Sequence, residues 1–481
     1  MHVEINFRRD ITLDLYRRVA WHGQGLQLGD VAVDCMRKSR EGFLRLLDGD
    51  QNVTIYGVTT GYGHQASVRL DGEARRIHAR RAPKDTVAAF GRAAPERVAR
   101  GIVLARLANF IEGHAAITPD LAIAVAALLD GTTLPKVSLS GQGGAGEILW
   151  TGPLFAELAD RFPLGEKDAL SLVNGSPAAS ALIADAAIAM RRRLSLVEKV
   201  FALSAEAIMA PLEAYDPAFE TLWGDRYEAE ALRQLRSLLQ EGGRERRRYQ
   251  APVSDRILPR VLGQFRRAIA QAEEIAESSL QSITDNPVFL PPEAGYPLGR
   301  VCSNGGFHNA RAYPALDNLA AAAADLCSLA ERHTTKLLDG RYSLLPDQLQ
   351  GGDGYIGILG FVQVGYAEEA RRHAQRTFLP GSEAGGFGQN DVAPLTGLAW
   401  LAQEEAGRCL DAAMTMLAAA GSQALHVTKR AAPAPLAELL TTTRSEFPPV
   451  TVSRMFSGEL AALMSRFRRE IYDVAVDDIL S

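Results

Sequence analysis

Several absences narrow this chain before any motif does. Its four cysteines, Cys35, Cys302, Cys327 and Cys409, stand far apart with no CxxC and no metal-ligand spacing. That argues against a disulfide framework or a zinc ribbon and reads as buried thiols in a reducing cytoplasm. The nine histidines are scattered singly, so no metal site is expected. A basic excess is missing too: 52 basic against 57 acidic side chains leave a formal charge of -5. That is the wrong sign for a partner of nucleic acid or of a membrane surface. No uninterrupted apolar run approaches the roughly 20 residues of a membrane span. The opening MHVEINFRRD places no apolar segment after its charges, so it does not read as an export signal. No Ser/Pro linker, low-complexity tail or repeat interrupts the chain. One domain over residues 1–481 is expected, with glycine-rich loops in 1–200 and a helical bundle in 201–481.

What is present points to helices. The 481 residues are 47% hydrophobic and 23% charged, ample for a large core. Leu258, Leu262, Phe265, Ile269 and Ala272 recur at spacings of four and three, one apolar stripe along a helix. Leu410, Met414 and Leu417 repeat the pattern, and the alanine-dense run 315–330 fits a helix buried among others. Glycine and proline cluster at 57–63, 141–152, 287–306 and 380–388, which predicts loops there. EGGRERRRYQ at 241–250 reads as a solvated loop before a helix start. The expected fold class is mainly α, a long-helix bundle with a smaller mixed N-terminal region.

Seven segments carry chemistry. Tyr56-Gly57-Val58-Thr59-Thr60-Gly61-Tyr62-Gly63 puts three glycines in eight residues, permitting tight or positive-φ turns that hold a phenol at a pocket wall. Ser140-Gly141-Gln142-Gly143-Gly144-Ala145-Gly146-Glu147-Ile148 is a second glycine-rich turn, and Leu172-Val173-Asn174-Gly175-Ser176 follows it. Gln250-Ala251-Pro252-Val253-Ser254-Asp255-Arg256-Ile257-Leu258-Pro259-Arg260 precedes the apolar stripe. Its Arg256 could clamp a carboxylate with a two-pronged guanidinium. Ile283-Thr284-Asp285-Asn286-Pro287-Val288-Phe289, Ser303-Asn304-Gly305-Gly306-Phe307-His308 with Leu316-Asp317-Asn318-Leu319, and Gly388-Gln389-Asn390-Asp391-Val392 complete the set.

In order and at similar intervals, these segments resemble the aromatic amino acid ammonia-lyase and aminomutase family, over roughly residues 50 to 400. The family runs they face are Y-G-V-N-T-G-F-G, G-S-V-G-A-S-G-D-L, L-I-N-G-T, Q-D-A-Y-S-L-R-C-x-P-Q, S-D-N-P-L, S-G-G-N-F-H, M-D-N-L and N-Q-D-V. The resemblance implies Tyr56 as the base on the substrate, Asn174 and Arg256 on its carboxylate, and Gln250 in the pocket. It places Phe307 against the ring and Gln389 and Asn390 at the amine end. It also implies a homotetramer acting on a small aromatic carboxylate substrate.

The pattern breaks where the family makes its electrophile, methylideneimidazolone (MIO), from an internal Ala-Ser-Gly. Gly144-Ala145-Gly146 falls on that triad. A serine loses its hydroxyl as water to leave an exocyclic C=CH2, whereas an alanine Cβ has no leaving group. MIO is therefore not expected. The alternative triad Leu139-Ser140-Gly141 is followed by nothing like the D-L-x-P-L that should come next. Thr86 stands where the family has a histidine, Val253 replaces its second pocket tyrosine and Arg260 replaces a glutamine. An MIO-independent carbon–nitrogen lyase is the function expected first, on a substrate with a labile amine. A branch of the family resembling ergothionase expels trimethylamine from a thiol-histidine betaine without MIO. An isomerase, cyclase or other biosynthetic enzyme using the same pocket, and a ligand-binding pseudoenzyme, are the alternatives.

Overall fold

Long helices dominate, as the periodicity predicts. The computed structural model describes residues 2–240, 242, 243, 245–247, 250–377 and 388–473. The chain divides into two compact units. The first comprises Met1–Ile188, Ala272–Ala315 and Arg376–Leu401; the second comprises Ala189–Gln271, Leu316–Gln375 and Ala402–Ser481.

The first unit holds both two-stranded sheets found among the described residues. Val3–Ile5 pairs in parallel with Leu26–Leu28, and Val288–Leu290 pairs antiparallel with Arg300–Cys302. The helix Glu96–Ile111 is buried almost all round, from Val98 to Ile111, the mark of an internal helix rather than a surface one. Helix Asp30–Gly49 is one-sided and lays Phe43, Leu46 and Leu47 against Ile55, Val58, Ala116 and Phe289. The Phe43 and Phe289 rings meet edge-on at 5.8 Å, a favoured aromatic geometry.

The second unit is helical throughout its long elements, among them Arg226–Leu239, Leu359–His373, Ala437–Glu446 and Ser457–Tyr472. Every residue of the stripe read at 258–272 is fully buried, on helix Leu258–Leu280. Leu410, Met414 and Leu417 are equally buried on helix Thr396–Val427, and the alanine-dense run lies in helix Ala312–Leu338. Segment Asp168–Ala207 has a mean hydropathy of 1.3 in its most apolar window, enough for a membrane span, but 94% of that window is buried within the protein. Asp185 and the arginines at 191–193 interrupt the apolar run.

Three expectations need correction. A helix already begins at Ile148 inside the loop predicted for 141–152, and it carries Pro153 within it. Burial of Trp150, Leu154 and Phe155 outweighs the one backbone hydrogen bond a proline forfeits. The 287–306 loop contains the Val288–Leu290 and Arg300–Cys302 hairpin. Cys35 and Cys302 are only half-buried, unlike Cys327 and Cys409. They sit on a one-sided helix and on a strand of the two-stranded sheet. In the predicted 380–388 loop, residues 380–387 lie outside the described residues, as do 241, 244, 248 and 249 of the arginine-rich segment.

Candidate active site

The Tyr56 turn stands on a core. Ile55 and Val58 belong to the apolar cluster around Phe43, and the Ile55 carbonyl accepts the N–H of Val58, Thr59 and Thr60 at 3.1, 3.0 and 3.2 Å. Gly57 takes φ +69°, and a Cβ there would lie 2.5 Å from the Tyr62 ring. Only glycine fits that turn. The Gly63 N–H donates to Tyr56 Oη at 3.0 Å, so backbone holds the phenol oxygen in place. Tyr62 meets Tyr56 edge-on at 6.3 Å and lies 4.4 Å from the His78 ring, whose Nε2 is 3.2 Å from the Gly57 carbonyl. Burial, with Tyr56 beside it, pushes the Tyr62 phenol far up, and burial moves His78 down. Tyr62 stays a phenol and His78 a neutral imidazole at pH 7.

The glycine-rich loop comes next. Gly144, Gly146 and Glu147 all have positive φ, at +81°, +77° and +54°. A Cβ on Gly146 would lie 2.3 Å from Asn174 Oδ1, and the Gly175 N–H donates to the Gly146 carbonyl at 3.1 Å. The loop and Asn174 are thereby locked together. The Glu147 carboxyl receives the N–H of Ala178 at 2.7 Å and of Ala179 at 3.1 Å, at the start of helix Pro177–Ala207. Burial nevertheless pushes Glu147 up to about 8, against those two donors and Arg106. Gly144, Ala145 and Gly146 carry no hydroxyl at any β-carbon. No water can leave to form an exocyclic methylidene, so these residues do not fit MIO.

Beneath the loop runs a buried polar network. Arg106 donates to the Asn174 carbonyl at 2.5 Å and to Asp285 Oδ1 at 2.9 Å. Lys167 Nζ reaches Asp285 Oδ2 at 2.5 Å and donates to the Ala115 carbonyl and Ser171 Oγ at 2.8 and 3.0 Å. Arg106, Lys167 and Asp285 are all fully buried. Burial lowers both cations while Asp285 opposes it. Asn174 Nδ2 donates to the Asn286 carbonyl at 2.9 Å, and Asn286 Oδ1 accepts from Ser303 Oγ and the Asn304 N–H at 3.1 and 2.8 Å. That chain ties the loop bearing half-buried Phe307 to Asn174.

Thr86 donates to the Pro83 carbonyl at 2.6 Å, and its hydroxyl occupies the space a Cβ at Gly152 would need. The Asn390 amide lies 4.0 Å from a Cβ built on Gly63, which brings it to the Tyr56 turn, while Gln389 is exposed. The first unit contains Tyr56 and Asn390 at one turn, and the 144–146 loop, Asn174 and the Phe307 loop in one hydrogen-bonded chain.

Gln250, Val253, Arg256 and Arg260 belong to the second unit. Gln250 is exposed and Val253 is 59% exposed. Arg256 closes the turn Val253–Arg256 and donates from Nε to the Ala251 carbonyl at 3.0 Å. Its terminal nitrogens make no hydrogen bond among the described residues. Arg260 is engaged differently: Nη1 meets both Glu228 oxygens at 3.1 and 2.9 Å, and the guanidinium lies 4.6 Å from the Trp223 ring centroid. Among the described residues no three His, Cys, Asp or Glu side chains converge as a metal site.

Sequence reasoning overlooked Arg106, Lys167 and the Gly63 backbone donor. Arg106 had a signal, a charge inside the otherwise apolar helix run GIVLARLANFI. A backbone donor leaves none, because every residue type carries it.

The sequence model of the aromatic amino acid lyase family matches residues 11–161 and 156–445. The histidine ammonia-lyase of Streptomyces avermitilis is 27% identical over 482 aligned positions, 92% of this chain and 91% of that protein. That of Geobacillus thermodenitrificans is 27% identical over 362, or 69% and 70%. Among solved structures, ergothionase from Treponema denticola, an ergothioneine-degrading enzyme in complex with desmethyl-ergothioneine sulfonic acid, superposes with a TM-score of 0.87 at 18% identity, covering 98% and 99% of the two chains. Phenylalanine aminomutase of Pantoea agglomerans gives 0.87 at 19%, covering 98% and 100%. Both likenesses speak to the fold. Since the family match runs through the Tyr56 turn, the 144–147 loop, Asn174 and the Asp285 network, the chain belongs to the aromatic amino acid lyase family.

Proposed function

We propose that this protein is a carbon–nitrogen lyase that works without MIO, on an aromatic amino acid whose own amine leaves readily. A betaine-type substrate, such as a histidine-derived betaine, meets that condition, because a quaternary ammonium cannot be deprotonated and so is always poised to leave as a neutral amine. What supports the reading is that, in the register of the resemblance, Ala145 falls where the family has its serine, while a backbone donor holds the Tyr56 oxygen and the residue after Asn174 bonds the Gly146 carbonyl.

The roles are those the family resemblance assigns: Arg256 and Asn174 to the substrate carboxylate, Phe307 to its ring, Gln250 and Val253 to pocket walls, and Gln389 and Asn390 to the amine end. The ionised oxygen of Tyr56 takes the β-proton, the C–H electron pair becomes the new C=C bond, and the amine leaves with the C–N pair. An electron-poor ring acidifies the β-carbon, which a phenolate base needs when no electrophile assists it. General-base catalysis contributes about 10²–10⁴-fold, and fixed orientation of the carboxylate adds to it. The ergothionase likeness supports the betaine arm, since that protein degrades ergothioneine.

Incubation with aromatic amino acids and their trimethyl betaines tests the scheme. A rising ultraviolet absorbance from a conjugated aryl acrylate, with release of amine, is the expected result. No change with any of them would overturn it. Tyr56→Phe should cut turnover by about 10²–10⁴-fold.

A further inference from the structure

Directly before Arg256 stands a buried acid with little company. Asp255 is almost fully buried and its Oδ1 accepts no hydrogen bond. The facing group is His333, fully buried on helix Ala312–Leu338, with Nδ1 3.9 Å from that oxygen. The same Nδ1 is 3.0 Å from Ser204 Oγ, the Phe201 ring lies edge-on at 5.1 Å, and Nε2 has no partner. On the other side Tyr215 Oη donates to the Asp255 carbonyl at 3.0 Å, while Arg236 holds the Tyr215 carbonyl at 2.9 Å. Burial and Asp255 push the Tyr215 hydroxyl well up, so it remains a donor at any ordinary pH.

A carboxyl taken out of water without a full set of partners is costly. The family run quoted above has leucine at this place, where no such cost arises. In this chain an aspartate takes that place, with a histidine opposite it and a tyrosine on its backbone. All three bear on a four-residue turn whose last residue is Arg256. That turn is short, with the N–H of Asp255 and Arg256 both on the Pro252 carbonyl at 3.1 Å. It has little rigidity of its own.

We propose that Asp255 and His333 form a buried pair that, with Tyr215, fixes the turn presenting Arg256, making them positioning residues for carboxylate capture. The inference rests on the proposed role of Arg256, and its test separates the two. Hydrogen exchange of the full chain is followed at residues 253–257 in the wild type, His333→Gln, Asp255→Asn, their double variant and Tyr215→Phe. Exchange should rise about tenfold in each single variant, and the double should be no faster than either single. Unchanged protection, or additive effects in the double, overturns the pairing. Tyr215→Phe removes one hydroxyl only, so it keeps the test valid if the buried-pair variants fail to fold.

A second measurement reads the clamp itself. The affinity for 3-phenylpropionate should fall about tenfold in His333→Gln and fall no further when Arg256→Gln is already present. An Arg256→Gln protein that binds as the wild type does removes the clamp role, while exchange at 253–257 still decides the pairing.

Discussion

Two buried arginines show how differently the two units use charge. In the second unit, Arg193 meets both Asp411 oxygens at 2.9 and 3.2 Å and donates to Tyr472 Oη at 2.7 Å; Tyr472 in turn donates to Glu404 at 3.0 Å. Burial opposes the cation, but Asp411, Tyr472 and Glu404 prevail and hold its pKa well above the ordinary value. In the first unit, Arg106 divides itself between Asp285 and the Asn174 carbonyl, and its Nε has no hydrogen-bond partner. There burial prevails and the pKa is lowered. Arg193 closes on its own carboxylate and braces a core. Arg106 gives up part of that stability to grip backbone under the candidate site, the compromise expected where geometry matters more than energy.

The comparison breaks most visibly if Arg193 is removed. Arg193→Met should destabilise the protein by about 3–5 kcal/mol, because buried Asp411 then keeps, among the described residues, only the more distant Arg468, 3.7 Å away. Urea denaturation measures this, and the folded fraction should bind carboxylate ligands as before. Arg106→Met should cost about 3 kcal/mol, the lower end, since Lys167 still faces Asp285. It should also weaken ligand binding, which titration would register. If it does not, the two arginines are alike.

A smaller effect is expected from Gly146→Ala. The positive φ and the clash with Asn174 Oδ1 should cost about 1–3 kcal/mol and lower activity more than stability. Last comes Glu147. Between its ordinary value of 4.5 and about 8, the folded chain holds a proton that the unfolded chain has released. Stability should therefore fall as pH rises through that window. Glu147→Gln should flatten the slope in a series of melting temperatures against pH, with little change below pH 4.

The Tyr56 turn was legible because its determinants are local: three glycines, a phenol and flanking apolar residues within eight positions. The stripe at 258–272 was legible for the same reason, since periodicity needs no knowledge of a partner. Arg106 was not, because Asp285 lies 179 residues away and a charged residue in a helix ordinarily faces water. The register of 250–260 could be read, but not that Arg260 turns to Glu228 and Trp223 while the terminal nitrogens of Arg256 make no hydrogen bond among the described residues. The helix start at Ile148 was missed because proline and glycine report local preference, and burial overrode it.

By itself the sequence determined that its glycines can turn left-handed, which faces of helices must be covered, and that residues 144–146 hold no β-hydroxyl. These follow from covalent structure and near-neighbour sterics, which travel with the chain. Only the tertiary structure decided which buried charges meet, which phenol receives a backbone donor, and that Asp255 lies opposite His333. The free energy of a charge depends on how far it is removed from water and on what stands within a few ångströms, and distant segments settle both.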